Sequence, residues 1–116
     1  MAGLCHCEDC RRSSGAGHSA HLGVAESGVQ MTGEMKGYAR PADSGNVVTR
    51  HFCTNCGAPI YSRNAAMPGM IFLRASSLDD LEVFKPQMHV FVSRAATWDQ
   101  PRAGVPAFDR MPPGMG

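Results

Sequence analysis

The sequence predicts one small, mainly-β domain, and three observations carry that expectation. Apolar residues come in short alternating stretches, such as Ala20, Leu22 and Val24, rather than at helical spacing. Thirteen glycines and eight prolines punctuate 116 residues too often for long helices. Two Cys-x-x-Cys turns, Cys7 to Cys10 and Cys53 to Cys56, have the form of metal-binding knuckles, each a tight turn between short elements. At this length residues 1–116 make a single domain, with an irregular tail from about residue 99.

The elements follow in order. Cys5 and Cys7 are two apart, so an extended segment points both to one face. Cys10 then returns by a turn, and residues 11–15 form one helical turn before Gly15 and Gly17 break it. Residues 19–24 read as a strand, and a short strand is expected at 29–31 between Gly28 and Gly33. Another is expected at 37–40, ended by Pro41. Asp43, Ser44, Gly45 and Asn46 are a turn signal. Residues 47–52 form a strand running into Cys53, and residues 58–62 a strand leaving Cys56, with Gly57 supplying the positive φ of the turn. Residues 70–75 are apolar and short enough for a buried strand. Residues 78–84 are expected as a helical turn capped around Ser76, Ser77, Asp79 and Asp80. Residues 88–92 are a last strand, and Pro101, Pro106, Pro112 and Pro113 mark the tail.

Charge and hydropathy exclude several classes. A net charge of +1 provides no electrostatic footprint for nucleic acid or an acidic membrane surface. No apolar run approaches the roughly 20 residues of a membrane-spanning helix. The N-terminus lacks a signal-peptide profile, so the expected compartment is the cytoplasm, where thiols stay reduced and available to metal.

The five cysteines are the chemistry. An odd number cannot pair completely in internal disulfides, and close Cys-x-x-Cys pairs in such a chain favour zinc. Cys5, Cys7 and Cys10 can converge on one ion, leaving a position open for an exogenous thiol, or a fourth protein ligand can close the site into a staple. A four-thiolate ribbon of Cys7, Cys10, Cys53 and Cys56 is the other partition, with Cys5 spare, although its 42-residue linker is long for one. A redox dithiol at Cys53 and Cys56 is disfavoured because no helix follows it. His6 would point away from the metal as a surface or outer-sphere imidazole. His89 reads as a hydrogen-bonded structural residue, Trp98 as core or pocket wall, and the methionines as core and tail filler. Arg11 and Arg12 could attract substrate carboxylates, but two solvated arginines are the simpler reading.

Taken together, Cys5-His6-Cys7-x-x-Cys10-Arg11-Arg12, Arg50-x-Phe52-Cys53-x-x-Cys56-Gly57, Ser76-Ser77-Leu78-Asp79-Asp80, Pro86-x-x-His89, Trp98 and Pro106-x-Phe108 resemble the glutathione-dependent formaldehyde-activating enzyme family, which also contains centromere protein V. The resemblance implies a complex β-sheet zinc fold shared with methionine-R-sulfoxide reductases. It implies a catalytic zinc on Cys5, Cys7 and Cys10, and a structural zinc using Cys53 and Cys56. It also implies a carbon–sulfur lyase that joins glutathione to formaldehyde. The alternative is a non-catalytic, zinc-stapled protein-binding module; a sulfoxide reductase would need a reactive free cysteine outside the clusters. Family members carry an upstream Gly-x-Cys-x-Cys-Gly strand that completes the structural zinc, and this chain starts only four residues before Cys5. The second zinc is therefore expected to be absent or weakly held, and the missing strand to leave a sheet edge open for a homodimer. Gly17-His18 stands where the family usually has an aromatic residue, a change expected to alter the pocket beside the catalytic zinc.

Overall fold

The computed structural model describes residues 1–112. Its core is one seven-stranded sheet built from β1 (Ala2–Cys5), β2 (Ser19–Ala25), β3 (Met35–Pro41), β4 (Val47–Cys53), β5 (Pro59–Asn64), β6 (Met70–Arg74) and β7 (Met88–Val90). The spatial order is β3-β4-β5-β6-β2-β1-β7, antiparallel throughout except for the parallel β1–β7 pair. The one α-helix among the described residues, α1 (Glu8–Ser14), closely follows β1. The mainly-β expectation holds. No helix among the described residues is long and apolar enough to cross a membrane.

Register explains what the sheet does. Cys5 lies opposite Ser19 and Gly3 opposite His21. Next, Gly23 faces Phe72 and His21 faces Arg74. Phe72 pairs with Ser62, Ser62 with Arg50, and Arg40 with Val48. Side chains alternate along a strand, so these residues share one face. That face is polar and basic around the thiols. The other carries Ala2, Leu4 and Ile71, all buried.

Several boundaries differ from expectation. Residues 29–31 form no strand: β2 ends in a 3-10 turn at Glu26–Gly28, and the Val29 N–H is spent on the Glu26 carbonyl at 3.1 Å. The helical turn begins earlier than expected and contains Cys10. The Cys10 N–H donates to Cys7 Sγ at 3.3 Å, so Cys7 caps α1, while Gly15 ends it at φ 72°. The turn expected at 78–84 splits into 3-10 turns at Ala75–Ser77 and Leu81–Val83, and the Asp80 carboxylate accepts the Glu82 N–H. Gly45 and Gly57 take φ of 87° and 77°, as the turn signals required. Trp98 is neither core nor pocket wall, being 75% exposed. Met88 and Met111 do pack against the cysteine cluster.

The tail forms no helix or strand among the described residues, but backbone hydrogen bonds fasten it to β7. The His89 N–H donates to the Pro106 carbonyl and the Phe108 N–H to the His89 carbonyl, and Ala107 bridges in parallel to His89. Residues 106–110 are thereby laid along β7 and the two residues after it, shielding that edge, whereas among the described residues β3 pairs only with β4. Pro113 lies outside the described residues.

Candidate metal centre

Cys5 closes β1, Cys7 caps α1 and Cys10 sits in the first turn of that helix. This strand-to-helix corner brings the three sulfurs together, all ligand atoms lying within 4.8 Å of one another. All five cysteines are free thiols, and Cys5 and Cys10 are buried. The donor chemistry fits a metal: three soft sulfurs converge, and among the described residues no fourth cysteine, histidine, aspartate or glutamate joins the group.

Crowding the thiols makes them ionise unequally. Cys7 is pulled down to about 2 by hydrogen bonds from Cys10 and Cys5, with burial opposing and the Cys10 N–H and Arg50 assisting. Cys5 is pushed strongly up by its hydrogen bonds with Cys10 and Cys7, and then by burial. Arg74 lies beneath the cluster, donating to the Phe72 carbonyl at 3.0 Å. Burial lowers its pKa only to about 10, so it remains a cation at neutral pH.

The thiols open onto a cavity of about 700 Å³. Its floor is the polar sheet face, including His21, Val48, Arg50, Ser62 and Phe72, and its rim carries Arg40, Arg94, Arg110 and Met111. Arg40 is held by Asp9 at 3.2 Å and Arg94 is near Asp43 at 3.8 Å. Arg50 Nε is buried without a hydrogen-bond partner. Phe91, which also lines the cavity, is the one non-glycine residue with positive φ among the described residues, at 56°. Strain of this kind persists only where surroundings enforce it; here the Phe91 N–H is tied to the Arg110 carbonyl and its own carbonyl to the Arg94 N–H.

Two arginines suggested by sequence are elsewhere. Arg12 pairs with Glu8 at the surface, and neither Arg11 nor Arg12 lines the cavity. His18 does not line it either, contrary to the expected effect on the pocket. His21 is the residue that sequence reading missed. Its Nε2 is 3.9 Å from Cys10 Sγ and 2.9 Å from Ser19 Oγ. Burial, with Arg74 and Arg50 nearby, keeps its imidazole well below the ordinary pKa and hence neutral. The signal was the second phase of β2: the apolar residues 20, 22 and 24 mark the core, so 19, 21 and 23 face the thiols.

Cys53 and Cys56 sit at the β4–β5 turn, with three strands between β4 and β1. A ribbon shared between the two clusters is therefore set aside. The Cys53 thiol is lowered by the backbone N–H groups of Cys56 and Asn55. Among the described residues no third histidine, cysteine, aspartate or glutamate comes within ligand reach of this pair.

Fold and site define a class: a small β-sheet domain with a metal-competent trio of thiols facing a basic cavity. The model of the glutathione-dependent formaldehyde-activating enzyme family matches residues 1–94, and the chain belongs to that family. No curated protein matches the chain.

Proposed function

We propose that this protein is a zinc-dependent carbon–sulfur lyase of the S-hydroxymethylglutathione synthase type, adding a glutathione-type thiol to formaldehyde or another small aldehyde. The observation that carries this reading is the convergence of three free thiols on the wall of a 700 Å³ cavity that also presents four arginines. That volume suits a small peptide. The family description names the same two reactants. Cys5, Cys7 and Cys10 would hold the zinc. Bound there, zinc acts as a Lewis acid that favours the thiolate form of an incoming thiol.

The chain's own groups do the rest. Arg50 and Arg110 receive substrate carboxylates, Arg50 through a buried Nε that otherwise has no partner. His21, kept neutral, accepts the substrate thiol proton at Nε2. The sulfur lone pair forms the C–S bond as the carbonyl π pair moves to oxygen, and His21 returns the proton to that oxygen. The sum is thiol plus aldehyde to hydroxymethyl thioether, and the reverse is the lyase direction. Cys53 and Cys56 form an incomplete second ligand pair that would hold zinc weakly. The cytoplasm suits such reduced thiols.

Native mass spectrometry tests the reading. Zinc should persist after Cys53→Ser/Cys56→Ser and disappear with Cys7→Ser, together with adduct formation. If either change releases the same single zinc, or Cys7→Ser keeps full adduct activity without zinc, the reading fails.

A second reading, a zinc-stapled protein-binding module, draws support from the exposure of Trp98 (75%), Leu81 (61%) and Val83 (57%). Glutathione should change the spectrum of a cobalt-substituted sample if the protein is the enzyme, and leave it unchanged if it is the module. A homodimer through β3 belongs to the proposal as well, although Lys36, Arg40 and Pro41 on that strand work against edge pairing. A monomer mass in light scattering at high concentration would sink it.

A further inference from the structure

A second group of ligating side chains converges away from the cavity. His6 is wholly buried and does not line the cavity. Its ring centroid is 5.3 Å from that of His18, whose Nδ1 is 2.5 Å from Asp99 Oδ2. One ligand atom from each of His6, His18 and Asp99 falls within a 4.8 Å cluster. His6 Nδ1 is buried and has no hydrogen-bond partner, while His6 Nε2 is 2.9 Å from His89 Nδ1. Gly17 makes room for the carboxylate: a Cβ at that position would collide with the Asp99 side chain.

We propose that His6 Nδ1, His18 and Asp99 form a second metal site, for a borderline first-row divalent cation, with water completing its shell. Two imidazoles and one carboxylate are the donor set such cations favour, with open positions left over. His18 and Asp99 have side-chain exposures of 33% and 23%, enough for solvent to reach the ion. His89 is the outer partner that orients a ligating imidazole through its other nitrogen.

The proton arrangement explains how the site responds to the ion. The Arg102 N–H donates to His89 Nε2 at 3.3 Å, so neutral His89 carries its proton on Nδ1 and aims it at His6 Nε2. Neutral His6 then keeps its own proton on Nδ1, buried and without an acceptor. An ion at Nδ1 moves one proton on each ring to Nε2, reverses the His6–His89 bond and gives up the long Arg102 contact. Each imidazole still carries one proton, so no net proton is gained or lost by the pair. The ion would tie the turn after α1 to the tail around Asp99, next to the single tryptophan, Trp98.

The test uses the full chain with Cys53→Ser/Cys56→Ser, preloaded with one equivalent of zinc and titrated with Co²⁺. One further ion should bind, with weak visible bands, no sulfur-to-cobalt charge transfer, and quenching of Trp98 fluorescence. His18→Ala, Asp99→Asn and Gly17→Ala should each weaken cobalt binding tenfold or more, and His89→Gln by roughly 10- to 100-fold. Zinc at the thiols should remain in all four. Absence of saturable cobalt binding, or binding that His18→Ala and Asp99→Asn leave unchanged, overturns the proposal. A sulfur charge-transfer band as the sole signal also overturns it, since cobalt would then sit on the thiols. Failure of the zinc preload would count against the thiol-centre enzyme alone; nitrogen and oxygen ligation of cobalt is still read separately.

Discussion

His21 Nε2 stands 3.9 Å from Cys10 Sγ and 2.9 Å from Ser19 Oγ, on the sheet face that carries Cys5. In the proposed reaction this neutral imidazole beside the thiols takes up and returns the substrate proton. His21→Ala should lower the rate of adduct formation by roughly 100-fold or more while zinc stays bound. Steady-state kinetics with zinc counted per chain decides it; an unchanged rate removes His21 from the mechanism.

Arg110 lies on the cavity rim, and no carboxylate pairs with it among the described residues. A lost charge-assisted contact costs about 1.5–3 kcal/mol, so Arg110→Ala should raise KM for glutathione roughly tenfold or more. KM for a thiol without carboxylates should not move. Comparing the two thiols on one preparation separates a carboxylate contact from damage to the fold.

Cys7 titrates far below an ordinary thiol and Cys5 far above. In the metal-free chain Cys7 is therefore already thiolate throughout the neutral range. Its alkylation by iodoacetamide should be nearly flat between about pH 5 and 8, where an ordinary thiol slows about tenfold per unit as pH falls. Cys5 should stay unmodified across the same range. Peptide mapping gives both rates, and a Cys7 rate that climbs with pH would contradict the ionisation order.

Ile71 is wholly buried on β6, opposite Val24 of β2 and on the sheet face away from the thiols. Ile71→Ala should destabilise the domain by about 2–5 kcal/mol. Urea unfolding of the zinc-loaded chain measures it, and zinc per folded chain should be unchanged.

Much of this was legible in the residues. The alternation of Ala20, Leu22 and Val24 fixed β2, and the cysteine spacing identified the trio, because both depend on local periodicity. Cys10 was misplaced relative to its helix because Cys7 caps α1 through sulfur, a role that oxygen-bearing side chains usually fill. The absent strand at 29–31 and the exposure of Trp98 were not readable, since both depend on which segments find neighbours across the sheet. His21 joins the thiols through the register of β1 with β2, and Arg50 through those of β4 with β5, β5 with β6 and β6 with β2. No window of sequence contains those pairings.

The stretch at 106–112 has a consequence of its own. It fastens to β7, packs Met111 against the thiol cluster, brings Arg110 to the cavity wall, and lies wholly beyond the 1–94 segment that matches the family. The thiol trio thus lies inside the matched segment, whereas part of the cavity's rim comes from a following stretch that returns to the site. A change confined to this stretch would reshape the mouth of the cavity while leaving Cys5, Cys7, Cys10, His21 and Arg50 in place.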